Sequence, residues 1–144
     1  MIRKAEIRDA DTVAALALRL WPDHSIEEMR SEFTELLSDG DCAVFLSEES
    51  GTAVGFAQCQ LRRDYVEGTE TSPVGYLEGV FIDAAHRNRG IAKALLAACE
   101  EWARRRGCTE FASDCELDNT DSLRFHLAAG FAEANRIICF TKKL

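Results

Sequence analysis

The stretch HRNRGIAKALL, residues 86–96, sets Arg87, Arg89 and Gly90 directly ahead of an apolar helical pattern. A helix start leaves several backbone amides without partners, and the aligned peptide dipoles make that end attractive to anions. Gly90 has no Cβ, so an anion can approach the main chain closely, and the two arginines add positive charge at the rim. The chemistry implied is a cradle for a phosphorylated ligand. With a single glycine, the stretch fits neither G-x-x-x-x-G-K-[ST] nor G-x-G-x-x-G, which argues against an ATP, GTP or dinucleotide loop. A turn with solvated charges is the plainer reading of the same residues.

The elements that must position this stretch follow from hydrophobic periodicity. Residues 2–7 read as a first strand and 11–21 as a helix, with Asp11 as candidate N-cap and Pro22 discouraging continuation. Ser25 and Glu28 match a capping box opening a second helix to about Ser38. Strands at 42–48 and 53–62 form a hairpin around Gly51, followed by a polar loop over 63–74 and a strand at 75–83. The third helix spans about 90–106, with cations in its last turn and Gly107 as its cap. A short strand at 110–114, a helix at 119–129 with Leu123, Phe125 and Leu127 near the core, and a final strand at 134–143 complete the chain. This order implies an α/β (α+β) fold in one domain, residues 1–144: a mixed central sheet with helices on both faces.

Composition narrows the function. The chain of 144 residues is 47% hydrophobic, enough for a core without disulfides or metal. No apolar run approaches ~20 residues, and the charged N-terminus lacks a secretory core, so a soluble cytoplasmic protein off the membrane is expected. The net charge of −8 argues against nonspecific nucleic-acid binding and is compatible with cationic partners. Six cysteines, none in C-x-x-C spacing, disfavour a zinc site and a disulfide framework; buried reduced thiols are expected, with Cys115 near a strand end that lines the site.

The pattern Arg-x-x-Gly-x-Ala at Arg87, Gly90 and Ala92 resembles the acetyl-CoA pyrophosphate loop of the GNAT superfamily of N-acetyltransferases. Asn119 with the following SLRFHLAAGF resembles that family's Asn-bearing helix ending in Gly-Phe. More narrowly, LWPDH (20–24), RDYVEG with SPV and YLEGVFI (63–82), and ASD (112–114) are similar to the aminoglycoside 6′-N-acetyltransferases. The resemblance implies a GNAT fold, acetyl-CoA as cosubstrate, direct attack by an aminoglycoside amine, and a homodimer. It assigns the pyrophosphate to backbone amides across Arg87, Asn88, Arg89, Gly90, Ile91 and Ala92, and the pantetheine arm to the main chain of Val80 and Ile82 and to Asn119, which also reads as a helix cap.

Acetyl transfer to an amine requires removal of a proton, alignment of two reactants and polarisation of the thioester oxygen. Glu78 and Asp114 are the carboxylates placed to capture the substrate's ammonium groups or act as base, and their order is left open. Trp21, His24 and Tyr65 match the family's substrate-site aromatics, and Asp64, Glu67 and Glu70 make the loop that carries Tyr65 acidic, which would attract a polycationic substrate. His126 stands where many members of the superfamily have a Tyr that protonates the departing thiolate. Asn135 falls where related enzymes often carry an acid. The rival expectations are a GNAT enzyme acting on another small polyamine or a protein amine, and a CoA-binding module without turnover.

Overall fold

The computed structural model describes residues 1–144. One sheet has the order β1-β2-β3-β4-β5, with β1 at Ile2–Lys4, β2 at Cys42–Glu49, β3 at Thr52–Arg62, β4 at Val74–Ile82 and β5 at Phe111–Ser113. The first four strands pair antiparallel, and β5 joins β4 in parallel. Helices α1 (Ala10–Leu20) and α2 (Ile26–Ser38) precede β2, α3 (Ile91–Arg105) connects β4 to β5, and α4 (Thr120–Ala128) follows β5. The mixed sheet expected from the sequence is present.

Strand alternation sends neighbouring side chains to opposite faces, and each face has its own core. On one, Val13, Ala14 and Ala17 of α1 and Met29 and Phe33 of α2 pack on Val44, Leu46, Phe56 and Phe81. On the other, Leu95, Leu96, Cys99, Trp102 and Ala103 of α3 pack on Ala43, Ala57, Cys59, Leu77 and Ile82. The expectation of buried thiols holds for Cys59, Cys99 and Cys108; Cys115 and Cys139 are exposed, and all six are free.

Local signals explain the element boundaries. The capping box at α2 forms: Glu28 N donates to Ser25 Oγ at 3.1 Å and Ser25 N donates to Glu28 Oε2 at 3.2 Å. The β2–β3 turn uses Ser50 and Gly51 at φ 50° and 77°, the left-handed pair that matches strand twist in a two-residue hairpin. Asp11 does not cap α1. It sits in the first turn and pairs with Arg30 at 3.1 Å, while Asp9 holds the N-cap position.

Three further expectations are corrected. The first strand ends at Lys4 rather than residue 7, because Ile7–Asp9 form a 3₁₀ turn in which Asp9 Oδ2 accepts from Glu6 N at 2.8 Å. In α4, Phe125 packs against the α3-side core and Leu123 is half-buried as expected, but Leu127 is exposed, and the helix also borders a cleft. The final strand at 134–143 does not form. Residues 131–144 carry no helix or strand, Ile137, Ile138 and Phe140 are exposed, and the outer edge of β5 is left unpaired.

The N-terminus is tied to the sheet by Arg3, which donates to both Asp9 oxygens at 2.8 Å and to Glu48 Oε1 at 2.7 and 3.0 Å. The Arg3 guanidinium holds the buried Asp9 carboxyl at a pKa of about 2, against 3.8 for a free one. A depressed carboxyl pKa contributes stability that is complete above the unfolded value and is lost as pH falls through the folded one. Asp9→Asn is therefore expected to destabilise the fold by about 2 kcal/mol at neutral pH, with the gap shrinking from about pH 4 and closing toward pH 2. Urea denaturation of both proteins across pH measures it; a gap independent of pH is the contrary result.

Candidate active site

The parallel pairing of β4 and β5 lasts three residues, Gly75 with Phe111, Tyr76 with Ala112 and Leu77 with Ser113. There β5 stops, while β4 continues to Ile82 with β3 on one side and no strand on the other. The parting opens a cleft of about 940 Å³, bounded by both strands, the start of α3 and one side of α4. Carboxyl ends of strands are where open α/β sheets receive ligands.

One end of the cleft suits an anion. Gly90 caps α3 at φ 79° and Asn88 lies at φ 62°, both left-handed, so the loop turns sharply into the helix. The first helical bond runs from Ala94 N to Gly90 O, which leaves the amides of Ile91, Ala92 and Lys93 without intrahelical partners. A Cβ on Gly90 would meet no protein atom within 4 Å, so the space beside it is open. Arg87, Asn88, Gly90, Ile91 and Ala92 line the cleft, as do Val80, Ile82 and Asn119.

Arg89 does not line it: its guanidinium turns away to Glu49 at 3.4 Å. Arg87 braces the end of β4 by donating from Nε to Ile82 O at 3.0 Å. Lys93, in the first turn of α3, and Arg124 of α4 are cations in the cleft wall that sequence reasoning did not single out. Position in a helix's first turn was the signal for Lys93. Asn119 caps α4, its Oδ1 accepting from Ser122 N at 3.1 Å, and its amide nitrogen remains available.

The other end is acidic. The β3–β4 register passes from Cys59–Leu77 to Gln58–Gly79, so Glu78 is the extra residue of a β-bulge. Its Oε1 receives Gln60 Nε2 at 2.6 Å, Arg62 Nη2 at 2.7 Å and Arg62 Nε at 3.2 Å, and its Oε2 has no protein partner. Gly79 is a glycine because Trp21 packs on it: a Cβ would lie 2.7 Å from the indole. Trp21 also meets Phe56 edge-on at 6.2 Å and lines the cleft, so it serves core and site together.

Asp114 accepts a hydrogen bond from Tyr76 Oη, and burial, aided by this carboxylate, pushes the Tyr76 phenol above its usual pKa. The Arg62 guanidinium lies 3.4 Å over the Tyr76 ring. Glu78 and Asp114 are thus the ends of one chain of contacts through Arg62 and Tyr76. Neither Arg62, Gln60 nor Tyr76 was singled out from sequence, because only the strand register brings them to the carboxylates.

His126 lines the cleft with both ring nitrogens engaged. Nδ1 lies 2.7 Å from Ser122 O, and Nε2 lies 2.8 Å from Ser113 Oγ. His24 and Tyr65 are not brought to the cleft. His24 is beside Glu28 at 3.4 Å, and Tyr65 is exposed on its loop. Asn135 donates to Glu67 of the same loop at 3.1 Å.

A cleft between parting strands, opening on a helix whose first amides are free, defines a class of acyl-CoA-dependent transferases. The chain belongs to the acetyltransferase (GNAT) family, whose pattern it matches over residues 10–131. Within that family it is 43% identical to an aminoglycoside N(6′)-acetyltransferase type 1 from Stenotrophomonas maltophilia, across 99% of this chain and 93% of the relative. The corresponding Salmonella typhimurium protein is 39% identical, with 99% and 98% covered. The fold is similar to AAC(6′)-Iy in complex with the bisubstrate analogue CoA-S-monomethyl-acetylneamine, with a TM-score of 0.96 at 38% identity, covering 100% of this chain and 98% of that one.

Gly90→Val should weaken coenzyme A binding at least tenfold, since the side chain enters the open space beside the free amides and strains a left-handed residue. Isothermal titration measures the loss. Gly90→Ala, carrying the same backbone strain with less bulk, is expected to lose less. Equal losses would assign the effect to strain and leave the phosphate elsewhere.

Proposed function

We propose that this chain transfers the acetyl group of acetyl-CoA to the 6′-amino group of an aminoglycoside by direct attack of the amine. The observation that carries this reading is the single cleft with free helix-start amides at one end and Glu78 and Asp114 at the other. Coenzyme A supplies the activated acetyl group when bound. Amides from Arg87 to Ala92 hold its diphosphate, while the open edge of β4 at Val80 and Ile82 and the Asn119 amide hold its arm.

Glu78 meets the substrate with Oε2, the oxygen left free by Gln60 and Arg62. Asp114 takes a second ammonium of the polycation. Trp21, in the cleft lining, stands beside a sugar ring of the substrate. Direct attack requires no cysteine nucleophile. The relatives named for aminoglycoside 6′-acetylation support this substrate class over other amines.

Glu78→Ala and Asp114→Ala should each lower kcat with an aminoglycoside by about a hundredfold and leave coenzyme A affinity within about twofold. Coenzyme A release across a panel of aminoglycosides, diamines and peptides measures the substrate class. Preferred turnover of diamines or peptides would replace the aminoglycoside, and tight binding without turnover would make the chain a CoA-binding module.

The same reading takes the protein as a cytoplasmic homodimer of one-domain chains. What supports the dimer is the C-terminal arm, whose exposed Ile137, Ile138 and Phe140 have nothing of their own chain to cover them, and the open outer edge of β5. Light scattering should give twice the chain mass for the wild type. The double variant Ile138→Asp, Phe140→Asp, both at exposed positions, should give a monomer with its far-UV spectrum intact. A wild-type monomer is the opposing outcome.

A further inference from the structure

We propose that Ser113, the last residue of β5, is the hydroxyl through which His126 delivers a proton to the departing thiolate of coenzyme A. This inference rests on the acetyl-transfer reading above and assigns a route that no sequence pattern indicated.

Ser113 stands at the point where β4 and β5 part. Its Oγ is 2.8 Å from His126 Nε2 and 3.1 Å from Leu77 O, so it bridges the helix, the end of β5 and the last paired residue of β4. Ser113, Leu77 and His126 all line the cleft. His126 Nδ1 faces Ser122 O, an acceptor only, at 2.7 Å and Ser122 Oγ at 3.3 Å; the carbonyl is the nearer partner and favours a proton on Nδ1. The ring lies between Phe125, 5.4 Å away on its own helix, and Phe131, 5.1 Å away beyond it, both edge-on. His126 therefore has no direct path into the cleft that does not break a bond; its path is the serine.

In neutral His126, Nε2 accepts the Ser113 hydroxyl. In the imidazolium, Nε2–H donates to Oγ, and the hydroxyl hydrogen is released to another acceptor: Leu77 O in the free protein, a thiolate in the reacting one. When the thiolate takes the hydroxyl proton, Oγ takes the Nε2 proton. One proton passes from imidazolium to sulfur, the serine is regenerated, and neutral His126 is recharged from solvent in the open cleft. The cleft wall also carries Asp114, bonded to Tyr76, together with Cys115, Glu116, Asp121 and Arg124, the last 3.9 Å from Asp121 on α4.

The experiment has two arms. In the free protein, ¹⁵N spectra of the histidine rings, assigned by loss of signals in His126→Asn, should show Nδ1 protonated and Nε2 hydrogen-bonded at high pH. Ser113→Ala should shift Nε2 to an unbonded value and leave Nδ1 protonated. In steady state, Ser113→Ala should lower kcat about a hundredfold with KM for acetyl-CoA and melting temperature unchanged, and Ser113→Thr should restore most of it. Ser113→Ala combined with His126→Asn should be no slower than the worse single variant, since the two residues act as one unit.

Multiplying defects, full activity in Ser113→Ala, or a proton on Nε2 in place of Nδ1 would each overturn the relay. Turnover confined to amines other than aminoglycosides would overturn the preceding substrate assignment and leave the relay standing. Absence of turnover with any amine would overturn both.

Discussion

β4 loses its neighbour at Leu77, and the rest of the site is organised around that loss. A strand in the middle of a sheet satisfies its backbone groups on both sides; beyond Leu77 this one has β3 alone. An unpaired edge facing a cleft is a row of fixed donors and acceptors awaiting a partner. An extended ligand arm with amides of its own is such a partner. The edge lies between the start of α3 and the wall of α4, so whatever pairs with it is fixed at both ends.

The electrostatics of the cleft resolve an apparent conflict between a net charge of −8 and a binding site for a diphosphate. The basic residues around Gly90 are largely committed elsewhere. Arg87 braces Ile82, Arg89 pairs with Glu49, and His86 lies between Glu49 and Asp83 at 3.3 and 3.2 Å. The attraction for an anion comes chiefly from uncharged amides and the helix dipole, with Lys93 adding charge nearby. Acidic side chains can then dominate the surface and the opposite end of the cleft without repelling the cofactor from its own end. In the proposed reaction a polycationic substrate and a polyanionic cosubstrate would fit side by side, one drawn by side chains and the other by backbone.

Features carried by a few consecutive residues were legible in the sequence. The Ser25–Glu28 capping box, the Gly90 helix start and the Asn119 cap each depend on residues within one turn, and each is found where the spacing put it. Partnerships across the sheet were not legible. Arg62 and Gln60 reach Glu78 only through a register that a bulge shifts by one residue, and Ser113 reaches His126 only because α4 folds back over the end of β5. The reading of residues 134–143 as a strand failed for a different reason. Alternation says that a segment suits a pleated edge, and cannot say which chain supplies that edge. Gly79 shows the converse: its place beside Glu78 was visible, but its cause, the indole of Trp21 fifty-eight residues earlier, was not.

The bulge at Glu78 links the two halves of the chemistry. Without the extra residue, the alternation of β4 would put Glu78 and Gly79 on opposite faces. With it, the carboxylate meets the β3 donors while the following residue lies flat under Trp21. Three donors on one oxygen then leave the carboxylate a single free oxygen and little freedom to rotate. The Gln60 and Arg62 contacts thus fix the direction in which that free oxygen points. In a reaction where two substrates must meet at one point on a strand edge, direction matters, because a misplacement of about 1 Å costs rate steeply. The same register irregularity thus sets the course of the unpaired β4 edge and the direction of the free Glu78 oxygen.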